Sequence, residues 1–215
     1  MSVGFFLDRK EAGQSLGTLL ASYRGEDCVV YALPRGGVPV AWEIAKMLHA
    51  PLDLLFAHKI SSPENPEYAL AAVSEGGCLV EGRGGGMSSL WLQKQKGKEI
   101  QEMQKKRLRY LKNRLSVSCA GKIAIFVDDG VATGLTLEAG VKELRQRGPK
   151  KVVVAVPVSP LEVQERLAGL VDAFVAVLLP EKGEFLGAVG AYYQKFHQVE
   201  DLEVLAYLEN EGKKA

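Results

Sequence analysis

The sequence predicts an α/β fold, an open and mostly parallel sheet with helices on both faces. Two observations carry that expectation. Five short apolar runs, at 28–33, 52–57, 123–127, 152–158 and 173–179, are continuous and not alternating, as strands covered on both faces must be. Between several of them lie stretches with apolar residues at helical spacing, and strand–helix–strand alternation of this length closes into right-handed βαβ units. The chain of 215 residues, 47% hydrophobic and 25% charged, suits one domain that buries its own core.

The elements follow in order. At the start, Phe5, Phe6 and Leu7 run directly into Asp8, Arg9 and Lys10, too short an apolar stretch for a signal peptide. Cys28 to Leu33 is the first strand, and Pro34-Arg35-Gly36-Gly37 follows it. Ala41, Ile44, Ala45 and Leu48 stand at i, i+3, i+4 and i+7 and predict the first helix. Leu52 to Ala57 is the second strand. Residues 58–87 mix Pro63 and Pro66 with glycines at 82 and 84–86, which predicts a long mobile loop or hairpin. A basic helix follows over 91–115, with Ile100, Met103, Leu108, Leu111 and Leu115 in one apolar stripe. Residues 58–118 are thus expected as an insertion within a single domain spanning 1–215. The third strand, Ile123 to Val127, leads through a loop into a helix marked by Leu137, Val141 and Leu144 and stopped at Gly148-Pro149. Val152 to Val158 and Ala173 to Leu179 complete the sheet. Residues 179–215, with Phe185, Tyr192, Tyr193 and Phe196, form a hood or tail.

Charge and cysteine usage exclude several classes. The formal net charge is +1, so the chain as a whole has no attraction for nucleic acid or anionic lipid. The basic helix holds nine Lys and Arg against only Glu99 and Glu102, which makes the remainder net acidic. Aromatics are not interleaved there, since Tyr110 stands alone among its basic residues, and nucleic acid is not expected as a partner. Cys28, Cys78 and Cys119 are odd in number and lack CxxC spacing, against a disulfide framework or zinc site and in keeping with a reducing cytoplasm. No segment approaches the ~18 apolar residues of a membrane span.

Chemistry concentrates after the third strand. There Asp128 and Asp129 stand side by side at the strand's carboxyl end, where open parallel sheets bind ligands. The loop through Gly130, Val131, Ala132, Thr133 and Gly134 to Thr136 then opens a helix. Such a turn suits an anion, because glycines let the backbone approach, inward N–H groups and the helix N-terminus carry positive partial charge, and threonine hydroxyls donate further bonds. Carboxylates beside an anion cradle suit a different part of the ligand, such as sugar hydroxyls or a bound cation. A Walker A loop needs Lys where Leu135 stands, and no GxGxxG, GxSxG or HExxH occurs. Pro34-Arg35-Gly36-Gly37 offers a second anion site of backbone amides plus a guanidinium.

The stretch from Val127 to Thr136 resembles the phosphoribosyl pyrophosphate (PRPP) motif of type I phosphoribosyltransferases. The order PRGG, HKI with NPEYALAAVSEGG, a basic helix, VDDGVATG and FLGAVGAYYQKF is similar to a bacterial and archaeal group usually described only as predicted phosphoribosyltransferases. The resemblance implies that Asp128 and Asp129 hold the 2′ and 3′ hydroxyls of ribose. It gives the 5′-phosphate to the loop of Gly130, Val131, Ala132, Thr133, Gly134 and Thr136. Pro34, Arg35, Gly36 and Gly37 become the pyrophosphate loop, and Lys59 the basic residue near it. The implied reaction transfers phosphoribosyl from PRPP to a nucleobase-like acceptor and releases pyrophosphate, with Mg²⁺ carried by PRPP near Asp128 and Asp129 and no metal site of the protein's own. Phe185 and Tyr192, in a hood built from the chain termini, are expected to stack on the base. A PRPP-sensing regulator that keeps the cradle without transferase activity is the alternative, and a homodimer is left open.

Overall fold

A computed structural model describes residues 5–65, 68–82, 88–112 and 114–211. In chain order its elements are α1 (Arg9–Leu19), β1 (Cys28–Ala32), α2 (Gly37–Leu48), β2 (Leu52–Leu54), β3 (Ala57–Ser61), β4 (Ala69–Ser74), β5 (Leu79–Glu81), α3 (Ser89–Leu111), β6 (Ile123–Val127), α4 (Leu135–Gln146), β7 (Lys151–Val158), α5 (Leu161–Leu167), β8 (Ala173–Leu178) and α6 (Asp201–Glu211). The main sheet is five-stranded and parallel, in the order β2-β1-β6-β7-β8. Successive residues of its strands turn to opposite faces, and both faces are apolar. Val30, Ala32, Ile125, Val127, Val153 and Ala155 pack with α1, α2 and α6, whereas Val29, Tyr31, Ala124, Phe126, Val152 and Val154 pack with α4 and α5. This two-sided burial is why the strands read as unbroken apolar runs.

The run at 52–57 is two strands and not one. After Leu54 the chain leaves the parallel sheet, Leu55 giving its amide to the Ala32 carbonyl, and β3 begins a second sheet that is antiparallel in the order β3-β4-β5. Periodicity cannot show this break, because Leu55 and Phe56 are buried and apolar like the residues around them. Pro66 and the glycines at 84–86, on which part of the loop expectation rested, lie outside the described residues.

The stripe expected on the basic helix needs correction. Met103 and Leu111 are buried, but Leu108 and Leu115 are exposed, and Leu115 lies beyond the helix end at Lys112. Tyr110 is buried in their place, its ring against Phe56. Many of the cations are held by carboxylates: Arg107 by Glu75, Arg109 by Asp201, Lys105 by Glu102 and Lys112 by Glu209. The segment before α1 also meets the segment before α6, through a parallel bridge between Phe6 and Tyr193. No helix among the described residues is long and apolar enough to cross a membrane.

Candidate active site

In the main sheet β1 sits between β2 and β6, so the chain beyond β1 and the chain beyond β6 leave adjacent strands at a topological switch point. Ala32 is in register with Val127, and the Leu33 amide donates to the Val127 carbonyl at 2.9 Å. The two sequence motifs therefore begin side by side. Residues 34–36 turn into α2, with a cis bond between Pro34 and Arg35, and residues 128–134 turn into α4. Their contact is close enough to dictate a residue type: a Cβ on Gly36 would lie 2.1 Å from Asp129 Oδ2. Gly134 caps α4 in the left-handed region, with φ 74°, a conformation side chains disfavour.

The free donors are narrower than the motif suggests. The amides of Arg35 and Gly36 make no hydrogen bond with described residues, and neither do those of Ala132, Thr133 and Gly134. Gly37 and Val131 are satisfied internally, their amides donating to the Leu33 and Val158 carbonyls. Val131 also buries its side chain in the core, so neither its amide nor its side chain is free for a ligand. Ala132 and Thr133 are exposed, and Thr136 is half-buried in the first turn of α4. Arg166, from α5, donates to the Thr133 carbonyl and so holds the loop from outside.

Around the acids the structure adds Arg9, which no motif announced, and gives the tail aromatics Tyr193 and Phe196 a place beside it. Arg9, in the first turn of α1, places its Nε 2.8 Å from Asp129 Oδ2. Its Nη1 donates to the His197 carbonyl at 2.7 Å, and its guanidinium lies 3.9 Å from the centre of the Phe196 ring. Tyr193 donates its hydroxyl to the Asp129 carbonyl at 2.6 Å. The Arg9 pair spans 120 positions of sequence, beyond the reach of any local pattern.

Arg35 Nη1 lies 3.3 Å from Asp201 and 3.5 Å from Glu200, at the start of α6. Asp201 also accepts from Arg109 and from the Tyr110 hydroxyl of α3, both at 2.6 Å. The basic helix thereby reaches the Arg35 loop through one carboxylate. Lys59 is exposed on β3, on the strand face of Ala57 and opposite that of His58, and makes no ion pair with described residues. Tyr192 does not present a free ring: it is buried and in ring contact with Phe5 at 5.6 Å and Phe185 at 5.5 Å, so it packs the tail. Phe185 is half-buried.

A family model described as phosphoribosyl transferase domain matches residues 7–172. The chain belongs to that family. This phosphoribosyl transferase domain is 40% identical over 208 residues to a protein of Mycobacterium tuberculosis (strain CDC 1551 / Oshkosh) named "Putative phosphoribosyl transferase MT0597", a match covering 95% of this chain and 46% of the relative. The counterpart in strain ATCC 25618 / H37Rv matches with the same figures. The chain thus spans about half the length of the curated relatives it matches. Among solved structures, TT1426 from Thermus thermophilus superposes with a TM-score of 0.79 at 40% identity, covering 95% of this chain and 98% of that one.

The electrostatics of this phosphoribosyl transferase domain separate its two acids. Burial, and next the charge of Asp129, push the Asp128 carboxyl well above the usual carboxylate range. Burial also raises Asp129, but there the Arg9 guanidinium works against it. Among the described residues Asp129 has a cation in contact and Asp128 has none. Among the described residues no group of three or more His, Cys, Asp or Glu is placed to hold a metal. A pair of carboxylates suits an ion whose remaining ligands arrive with a substrate.

Proposed function

We propose that this chain is a phosphoribosyltransferase that takes PRPP as donor and a nitrogenous base as acceptor. The observation that carries the reading is the contact of Gly36 with Asp129, which sets an anion loop with an arginine directly against a carboxylate pair that opens a second anion loop. A ligand filling that junction needs two anionic groups separated by hydroxyls, and PRPP has that order.

In the reaction the bond from ribose C1 to the pyrophosphate oxygen breaks, a bond from a base nitrogen to C1 forms, and the nitrogen's proton passes to solvent. Asp128 and Asp129 accept hydrogen bonds from the ribose hydroxyls. Amides at 132–134, the hydroxyls of Thr133 and Thr136 and the N-terminus of α4 bind the 5′-phosphate. Arg35, with the amides of Arg35 and Gly36, faces the leaving pyrophosphate, and Lys59 adds a cation from β3. Charge grows on that leaving group as the bond breaks, so fixed donors stabilise the transition state more than the ground state, by about 3 kcal/mol each where water is excluded. Mg²⁺ brought by PRPP would neutralise part of the leaving group's charge, and Asp128 and Asp129 would be the carboxylates to hold it. No covalent nucleophile is required. The unpaired Cys28, Cys78 and Cys119 suit a cytoplasmic enzyme.

The test is a panel of purine, pyrimidine and other nitrogenous bases with PRPP and Mg²⁺, read as pyrophosphate release. Release with one base class, abolished in the Asp128→Asn, Asp129→Asn double variant, is the expected result. PRPP binding without release for any base would favour a sensing role.

A further inference from the structure

We propose that Arg9 is a positioning residue for the donor's ribose, holding the Asp129 carboxylate in one rotation and making that hold depend on the docked C-terminal segment. The inference rests on the PRPP reading above and deepens it.

Arg9 is nearly fully buried, its side chain 8% exposed. A buried guanidinium is costly unless it is paired and hydrogen-bonded, and its three partners here come from two distant places in the chain. Asp129 belongs to the ribose-binding pair, the His197 carbonyl belongs to the segment before α6, and the Phe196 ring lies against the guanidinium. The neighbourhood leaves the Asp129 carboxylate few alternatives. A Cβ at Gly36 would collide with both its oxygens, and Tyr193, in ring contact with Phe196 at 4.8 Å, donates to the main-chain carbonyl of Asp129. Asp8, which precedes Arg9, fixes the start of α1 by accepting from the Glu11 amide, so the Arg9 backbone is anchored independently of its side chain. Each neighbour of Arg9 therefore sets either the rotation of Asp129 or the position of Arg9 itself. Among the described residues Asp128 has no cation in contact, and Asp129 is the acid whose geometry is secured.

A merely structural arginine would, when lost, weaken every ligand together. A positioning arginine should affect only ligands that use Asp129. Calorimetric titration of the full chain with ribose 5-phosphate, and separately with Mg²⁺-pyrophosphate, distinguishes these cases. Arg9→Gln should weaken ribose 5-phosphate by roughly 10-fold or more while changing pyrophosphate affinity less than about 2-fold. Arg9→Lys, which keeps the charge but loses the planar fork, should recover part of the loss. In an Asp129→Asn background Arg9→Gln should have no further effect on ribose 5-phosphate, because the arginine acts through that carboxylate.

Equal weakening of pyrophosphate and ribose 5-phosphate would overturn the proposal, as would multiplying effects of Arg9→Gln and Asp129→Asn. Should Arg9→Gln fail to fold, Arg9→Lys must still show the ribose-selective loss, and its absence counts against the proposal. If wild type binds ribose 5-phosphate and Arg9→Gln binds it equally well, this inference alone fails. If wild type binds neither ribose 5-phosphate nor PRPP, the donor reading fails and takes the inference with it.

Discussion

Asp128 is a carboxyl in an unfavourable place, and the ribose contact proposed for it would account for its being there. Burial and the neighbouring Asp129 raise its carboxyl, so the folded state binds its proton more tightly than the unfolded chain does. Between the ordinary carboxylate value and the raised one, stability then falls as pH rises. Asp128→Asn removes the charge and keeps an oxygen to accept from the Asp129 amide, as Asp128 Oδ1 now does at 2.8 Å. It should raise the melting temperature at pH 7, because the charge that burial and Asp129 disfavour is gone, while ribose 5-phosphate binding is lost. Thermal unfolding and calorimetric titration on the same variant check both halves; a lower melting temperature would contradict the electrostatic account. Arg35 calls for a different measurement, since its proposed contact strengthens as the C1 bond breaks. Arg35→Ala should cost ~2–4 kcal/mol of barrier and lower kcat by more than it raises KM for PRPP, with Arg35→Lys recovering part. These residues were legible in the sequence because type and spacing alone single them out. Arg9 was not, because its meaning depends on a partner that only tertiary structure brings to it.

Elements divide in the same way. The central strands and the helices α2 and α4 are legible because each is buried by its own local periodicity. The helices α1, α5 and α6 carry weaker patterns and emerge only from the structure. The basic helix shows why a stripe of apolar residues is insufficient evidence: its packing uses Leu92, Met103, Tyr110 and Leu111, while its arginines reach carboxylates on other elements. Asp201 at the head of α6 joins α3 to the Arg35 loop. The Tyr110 hydroxyl first, then Arg109, hold its carboxyl below the usual range. Its contribution is therefore present above the ordinary carboxylate value and is lost as pH falls through the depressed one. Because the side chain is about a third exposed, that contribution stays under about 1 kcal/mol. Asp201→Asn should lower stability by that small amount at neutral pH and flatten its loss at acid pH. It should also raise Mg²⁺-pyrophosphate affinity by about 3-fold, because Arg35 no longer divides its charge between Asp201 and ligand. Calorimetry reads the second effect; unchanged affinity would mean that Arg35 does not face pyrophosphate.

At the scale of the whole molecule, the strand order is the feature that sequence could not supply. Both faces of β1, β6 and β7 are apolar, so composition along each strand is nearly blind to which neighbour it pairs with; the order β2-β1-β6-β7-β8 decides that the loops after β1 and β6, proposed to bind the donor's anionic groups, meet. That meeting also ties distant parts together. The loop after β1 begins α2, the loop after β6 begins α4, and Arg9 fastens Asp129 to both the start of α1 and the segment before α6. A ligand bridging the two loops should therefore oppose global unfolding and not merely quiet one loop. PRPP with Mg²⁺ at ~100 times its Kd stabilises the native state by ~2.7 kcal/mol if the unfolded chain does not bind it. For a domain of this size each kcal/mol moves the melting temperature by ~2–4 °C, so a rise of roughly 5–10 °C is expected. Pyrophosphate alone should give a smaller rise, and the Asp128→Asn, Asp129→Asn double variant should show no rise with ribose 5-phosphate while still unfolding cooperatively. Differential scanning calorimetry across a PRPP titration measures this directly. A melting temperature that does not move at millimolar PRPP and Mg²⁺ would mean that the junction of Gly36 with Asp129 is a packing contact and not a donor site.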